Sequence, residues 1–480
     1  MFDDRIPIVE ITSKTVDRLL PVLRDAVKAA DFIAIDLELS GIGSYHGLKG
    51  KPFQDRFTRI RDTVLSRSVL SIGIATFKLK KVSEERKKIK LEAMVFNLIT
   101  MSAKNFTVEP DALSFLARHG FDFNRLIDSA VGYNCGQPSH PLSTILIDIL
   151  TSGASLIFHN GFIDCAFLYH HFFSTLPASV GCFQSSLCDW FSVTASENLD
   201  NGEACGGRGL FYDNKFIAAR EGLSATFLEY VFRKHQRANV LECQGAKVYL
   251  AIKFTELENP EPGDIEYVDC EMSPHFLRND FSIHSEAHAS LCTNYAEHGF
   301  CRRRTCEKTH EVDLLLDLEC QKSLKEQGRR KRKLAAIVGE EAVDARKKFR
   351  PLPGAVQAKV DAAIEADADQ AANDTESSCS DNGRPYEKTK FSTKGCHRAG
   401  MDAFMTGFGV LFSQRMHILR KQCLDPTLAN KTTCAGLDAP SLPFVKSTYS
   451  PTSAEHKKKW EVLAEQKAKA VKEKLRVVAG

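Results

Sequence analysis

The chain has 480 residues, 43% hydrophobic and 26% charged, with Lys+Arg 64 against Asp+Glu 61 and a formal charge of +3. These values support a buried core and exclude wholesale disorder, the length favours two to four structural units, and the charge is too mild to imply nucleic-acid binding unless basic residues cluster locally. No run of 18 uncharged apolar residues occurs, so no membrane span is expected; the start Met1-Phe2-Asp3-Asp4 lacks a signal-peptide pattern, and fifteen scattered cysteines point to a reducing compartment with thiols free or metal-bound.

Residues 13–30 read as an amphipathic helix with a kink at Pro21. Phe32-Ile33-Ala34-Ile35 is a buried strand that runs into Asp36-Leu37-Glu38 and closes at the turn Ser40-Gly41-Ile42-Gly43. Two more strands are expected over 69–77 and 93–99, and helices over 111–119, between Pro110 and Gly120, and over 142–151. Residues 155–159 form another strand, followed by a helix from about Ile163, and 222–235 an aromatic-rich helix. Residues 31–240 are therefore mixed α/β around one sheet. Residues 288–312 are rich in Cys and His. Arg329-Arg330-Lys331-Arg332-Lys333 is a run of five positive charges, and residues 360–383 hold seven carboxylates and no Lys or Arg. Such a segment cannot bury enough apolar surface to order itself, so 325–390 is expected to be a disordered linker. Order is expected to return in an apolar helix from about 395 to 412, and the Lys- and Ala-rich last 25 residues read as a solvated helix.

Three elements carry the chemistry. Asp36 and Glu38, two apart on a strand, leave the same face and repel each other unless a cation sits between them. Alone, such a pair more often marks a polar strand edge. Asp164, in His159-Asn160-Gly161-Phe162-Ile163-Asp164, falls near a helix start, where a carboxylate also simply suits the helix dipole. His397-Arg398-Ala399-Gly400-Met401-Asp402 is the third. A five-residue offset turns two helical side chains about 140° apart, so His397 is placed at or before the helix start and Asp402 within the helix. A capped or core role for His397 is the alternative. Together, four carboxylates and one histidine at element ends suit a two-metal phosphodiesterase: Mg²⁺ (or Mn²⁺) prefers oxygen ligands, and a neutral histidine can take a proton from the attacking water.

Cys292, Cys301, Cys306 and His310 give C-x8-C-x4-C-x3-H, the donor set of a closed tetrahedral Zn²⁺ site. Tyr295 and Phe300 are expected to stack on bases while Arg302, Arg303 and Arg304 meet phosphate, the logic of single-strand binding. A zinc site that is only structural, or that binds protein, remains open.

The order D-x-E, N-x3-D, H-x4-D resembles the DEDDh 3′–5′ exonucleases. Asp36-Leu37-Glu38-Leu39-Ser40-Gly41, His119-Gly120-Phe121-Asp122-Phe123-Asn124, Phe211-Tyr212-Asp213-Asn214-Lys215 and His397-Arg398-Ala399-Gly400 narrow it to the poly(A)-specific deadenylases, with the closest likeness to a Cajal-body branch carrying an inserted CCCH finger. The resemblance implies an RNase H-like α/β exonuclease fold with a mixed central sheet, flanking helices and an inserted zinc finger. It implies two Mg²⁺ or Mn²⁺ ions held by Asp36, Glu38, Asp164 and Asp402, with His397 as general base. Leu39, Ser40 and Asn160 become substrate contacts, and one Zn²⁺ sits on the CCCH ligands. The implied activity is removal of 3′-terminal adenosines, as 5′-AMP, from single-stranded RNA with 3′ oligo(A) ends, including small nuclear and other non-coding RNAs. Nuclear RNA-processing partners and a nuclear location (nucleolus or Cajal body) follow, with residues 329–333 as a localisation signal or RNA contact. A CCCH adaptor on a nuclease-like fold and a DNA exonuclease are the alternatives. The implied organisation is a nuclease segment 1–285, a finger 286–314, a linker 325–390, the last catalytic helix within 391–425 and a Lys-rich tail 426–480. His397 follows Asp164 by 233 residues, so finger and linker must loop out as an insertion.

Overall fold

The run Phe32-Ile33-Ala34-Ile35 is buried throughout, as a strand covered on both faces must be, and becomes β2 (Phe32–Leu39) of a central sheet. In the computed structural model of the chain, the described residues are 5–44, 52–83, 87–192, 208–283, 285–301, 303, 305–338, 398–433, 441–447 and 449–479. They fall into two compact units, one of residues 1–271, 297–299 and 390–480, the other of 272–296 and 300–389.

In the larger unit, β1 (Arg5–Ile11) and the amphipathic α1 (Val16–Ala29) precede β2, and Pro21 lies inside an unbroken helix. Next come α2 (Phe53–Ser66) and the long strands β3 (Val69–Ser83) and β4 (Lys88–Ser102). The chain continues through α3 (Pro110–Arg118), α4 (Phe123–Ser129), β5 (Val131–Tyr133), α5 (Pro141–Thr151), β6 (Ser155–Phe158), α6 (Phe162–Leu168) and α7 (Val180–Trp190). β7 (Phe211–Asp213), α8 (Asn214–Arg220), α9 (Leu228–Gln244), β8 (Tyr249–Phe254) and β9 (Ile265–Asp269) complete the first pass. The helix expected over 222–235 thus starts six residues later and runs longer. The strands join in the order β7-β6-β2-β3-β4-β1-β9, with β5 and β8 also pairing along β4. β2 is antiparallel to β3 and parallel to β6, so the sheet is mixed, with helices packed against it. The expected α/β architecture is borne out.

The smaller unit holds α10 (Pro274–Arg278), α11 (Ser285–Ser290), the start of α12 (Thr293–His298) and α13 (Val312–Val338), with a small core of Ile283, Leu314 and Leu318. α13 corrects the start of the expected linker: residues 325–338 continue a helix whose first turns are anchored by that core. The rest of that segment, 339–390, lies outside the described residues, as does His397.

The chain returns to the larger unit as α14 (Ala399–Ser413), α15 (Arg415–Lys421), β10 (Lys431–Thr432), β11 (Leu442–Pro443) and α16 (Ala454–Ala479). Every residue of α14 from Ala399 to Phe412 is buried, as expected of a helix that is apolar on all sides. It lies directly on the sheet: a Cβ at Gly407 would fall 2.3 Å from the Phe77 ring. α16 is not a solvated tail. Trp460 and Val471 are buried, His456 bonds Tyr169 at 3.0 Å, and the Lys467 ammonium donates to the carbonyls of Gly209 (2.6 Å) and Trp190. The lysine count hid this, because a buried ammonium is tolerated once carbonyls satisfy its protons.

Candidate active site and cysteine–histidine cluster

Asp36 and Glu38 sit on the last residues of β2, paired in register with Gly73 and Ser71 of β3, and a β-bulge follows between Glu38 and Leu39. The residue opposite Asp36 has to be glycine, because a Cβ on Gly73 would lie 1.7 Å from the Ala399 carbonyl oxygen. That missing side chain lets the first turn of α14 rest on the sheet and brings Asp402 over β2. One oxygen each of Asp36, Glu38 and Asp402 lie within 4.8 Å of one another, with Glu38 and Asp402 buried and Asp36 half-buried.

Asp164 arrives from the other side of β2, in the first turn of α6, with the Leu37 backbone N–H in contact with its carboxylate. Its placement depends on the turn before it. Asn160 takes a left-handed conformation (φ 61°), and the Asn160 and Gly161 N–H groups donate to Asp213 at 3.1 and 3.3 Å. Asp213 also accepts from the Phe216 N–H, capping α8, and from the Thr432 hydroxyl. One buried carboxylate therefore ties β6, α8 and β10 together beneath Asp164.

The electrostatics are those of crowded carboxylates. Burial, then the charges of Asp402, Asp164 and Glu38, push Asp36 well above the usual carboxylate range. Burial, with Asp213 adding to it, pushes Asp164 up to about 7. Such groups are held fully ionised at neutral pH when positive charge enters. The donors are all carboxylate oxygens, the set a hard divalent cation such as Mg²⁺ or Mn²⁺ prefers, so the residues fit that ion.

The expected substrate contacts divide. Asn160 is half-buried beside Asp164, with its side-chain oxygen accepting from the Thr433 hydroxyl at 2.8 Å. Leu39 is 8% exposed and belongs to the core beneath the bulge. Ser40 is corrected: it is fully buried, donates to the Thr107 carbonyl at 2.8 Å and accepts from the Ser68 N–H at 2.9 Å, so its hydroxyl holds the turn together. Sequence reasoning gave Asp213 no role beyond its place in a motif, although an Asp-Asn pair opening a helix was a legible capping signal. It missed Glu10, 1% exposed, and gave no role to Arg398, the N-cap residue of α14.

In the smaller unit, ligand atoms of Cys292, Cys301, Cys306 and His310 lie within 4.8 Å of one another. The Cys292 and Cys306 sulfurs are 3.9 Å apart. Two thiolates about 2.3 Å from a tetrahedral zinc would stand about 3.8 Å apart, so the residues fit that ion. The Cys292 N–H donates to Thr309 (3.1 Å) and the Thr309 N–H to Ser290 (2.7 Å), closing a knuckle that sets the first and last ligands side by side. The His310 ring stacks on Tyr295, with centroids 5.3 Å apart. Tyr295 is therefore corrected from a base-stacking residue to a support for the cluster, being 6% exposed. Phe300 and Arg303 are exposed, and Arg302 and Arg304 lie outside the described residues.

Comparison with known proteins gives three results. The profile of the CAF1 family ribonucleases matches residues 11–142 and 139–410. Poly(A)-specific ribonuclease PARN of Arabidopsis thaliana is 28% identical over 134 residues, 26% of this chain and 19% of that protein; PARN of Danio rerio is 27% identical over 138 residues, 26% and 20%. The matched stretch thus spans about a fifth of the length of these relatives. The structure of S. pombe Pop2p, described as its Mg²⁺- and Mn²⁺-bound form, aligns with a TM-score of 0.36 at 17% identity, over 48% of this chain and 82% of that one.

Proposed function

Because the chain belongs to the CAF1 family of ribonucleases, we propose that it is a divalent-metal-dependent 3′–5′ exoribonuclease that removes 3′-terminal adenosines from single-stranded RNA as 5′-AMP. The observation that carries this reading is the convergence of Asp36, Glu38 and Asp402 within 4.8 Å, with Asp164 held against the backbone of Leu37. Nuclease folds that only bind have no need of four carboxylates crowded at one corner.

Asp36, Glu38, Asp164 and Asp402 would hold two Mg²⁺ or Mn²⁺ ions. When bound, these supply charge stabilisation for the attacking water and for the leaving 3′ oxygen. His397 takes the proton from that water as its oxygen forms the new bond to phosphorus. The bond from phosphorus to the 3′ oxygen breaks, and the leaving oxygen is protonated from solvent. Asn160 orients the terminal nucleotide, supported by the half-exposed setting of its side chain next to Asp164.

The Cys292, Cys301, Cys306 and His310 cluster would hold one Zn²⁺ and present Phe300 and Arg303 to the RNA. Arg329, Arg330, Lys331 and Arg332 are exposed on α13, in keeping with a nuclear-localisation or RNA-contacting role. The substrates proposed are oligoadenylated small nuclear and other non-coding RNAs, in the nucleus and its Cajal bodies. Incubating oligo(A)-tailed RNA with the full chain and Mg²⁺ tests the reading. Stepwise shortening that is lost in Asp36→Ala is expected; no shortening by the natural chain, or equal shortening by the variant, refutes it. Equal action on RNA and DNA oligonucleotides would refute the RNA preference, since only RNA offers a 2′-hydroxyl.

A further inference from the structure

Two arginines and two glutamates meet where α14 begins. The Arg398 side chain pairs with Glu266 of β9 and stands 3.9 Å from Glu10 of β1. Arg125 of α4 reaches the same two carboxylates, each at 3.4 Å. Glu10 is 1% exposed, and a charge so buried persists only where it is paired.

This cluster touches the carboxylate corner along two routes. The Arg398 carbonyl accepts the Asp402 N–H at 2.9 Å, so Arg398 stands at the N-cap of the helix that carries Asp402, its side chain left free of capping to reach the glutamates. Glu10 accepts the Asn97 amide at 3.0 Å, Asn97 accepts the Ser71 hydroxyl at 2.7 Å, and Ser71 is the β3 partner of Glu38. The apolar body of α14 packs on the sheet, and its first turn rests there through backbone, a Cβ at Gly400 falling 3.0 Å from the Ile8 side chain and 3.1 Å from the Phe96 carbonyl oxygen. Gly400 brings no side chain to that turn, and the two residues flanking it, Ala399 and Met401, point into the core.

We propose that Arg398, held by Glu266 and Glu10, is a positioning residue that sets the first turn of α14 so that Asp402 meets a divalent cation together with Asp36 and Glu38. The proposal rests on the metal-dependent reading above. Residues that orient a metal ligand typically change metal affinity 10–100-fold when removed, whereas a residue that only stabilises the fold changes the melting temperature and leaves the affinity of the folded protein alone.

The test uses the full chain, with Mn²⁺ as the probe followed by electron paramagnetic resonance in the absence of RNA, and Mg²⁺ dependence of RNA shortening as a second readout. Arg398→Met is expected to weaken Mn²⁺ binding about 10-fold and to raise the Mg²⁺ concentration for half-maximal activity by a similar factor. KM for RNA at saturating Mg²⁺ should stay within about twofold of the natural chain. Glu266→Gln should act in the same direction and more weakly, and the exchange R398E/E266R should recover part of the lost affinity. Unchanged Mn²⁺ affinity in both single variants, or a loss in the exchange variant as large as the two single losses combined, overturns the proposal. If Arg398→Met does not fold, Glu266→Gln decides by the same criterion. Failure of the natural chain to shorten RNA would count against the proposed activity alone, because the Mn²⁺ arm stands without it.

Discussion

Gly73→Ala is the smallest change that should separate the carboxylates. The new Cβ would sit 1.7 Å from the Ala399 carbonyl oxygen, where ordinary contact begins at 3.4 Å. The Cβ is fixed by the backbone and its partner is backbone, so no side chain can swing away; either β3 or α14 must retreat by about 1.7 Å. Overpacking of this kind costs about 1–3 kcal/mol, which a nine-stranded core can absorb. The site cannot absorb it, since metal ligands tolerate about 0.2 Å and a 1 Å misplacement can cost about 100-fold in rate. We therefore expect a folded variant whose kcat/KM on oligo(A) RNA falls about 100-fold, with weaker Mn²⁺ binding. Gly132→Ala is the control, since a Cβ there meets nothing within 4 Å; its activity should match the natural chain. A Gly73→Ala variant that keeps its activity, or that melts early while binding Mn²⁺ normally, would refute the packing argument.

Asp164→Asn should abolish shortening while RNA capture by the cysteine–histidine cluster survives, checked by activity and filter binding on the same preparation. The melting-temperature gain from Mg²⁺ should grow as pH rises through about 7. Asp164, raised to about 7, binds a proton in the folded metal-free state at pH values where the unfolded chain has lost it, so its contribution to stability declines as pH rises through that value, and metal then takes the proton's place. Buried His171 and half-buried His159 and His170, lowered to about 3 to 4 mainly by loss of solvent, act oppositely below pH 6.5, so the scan must be read as the difference with and without Mg²⁺. Removing zinc with a selective chelator in excess Mg²⁺ should unfold residues 288–312 and weaken RNA capture without changing Mn²⁺ binding at the carboxylates, seen by circular dichroism and paramagnetic resonance.

Much of this was legible because it is local. A buried apolar run ending in Asp36 and Glu38 needs only a period-2 pattern to be seen, and the C-x8-C-x4-C-x3-H spacing carries its chemistry in the residue types. What lay hidden depends on contacts distant in sequence. Gly73 looks like any strand glycine until Ala399 is found against it. In the sequence Ser40 and Tyr295 look like substrate contacts, because a hydroxyl or an aromatic ring near a motif offers no sign of which way it faces; Thr107 and His310 decide that. The lysines of α16 suggested solvent, and only the carbonyls of Trp190 and Gly209 explain Lys467 in the interior.

The most direct test of the carboxylate corner is a crystal of the full chain soaked in Mn²⁺ and measured at the manganese absorption edge. Two anomalous peaks about 3.5–4 Å apart, bounded by Asp36, Glu38, Asp164 and Asp402, are expected. Manganese that binds elsewhere, or not at all, with these four side chains ordered, would contradict the account.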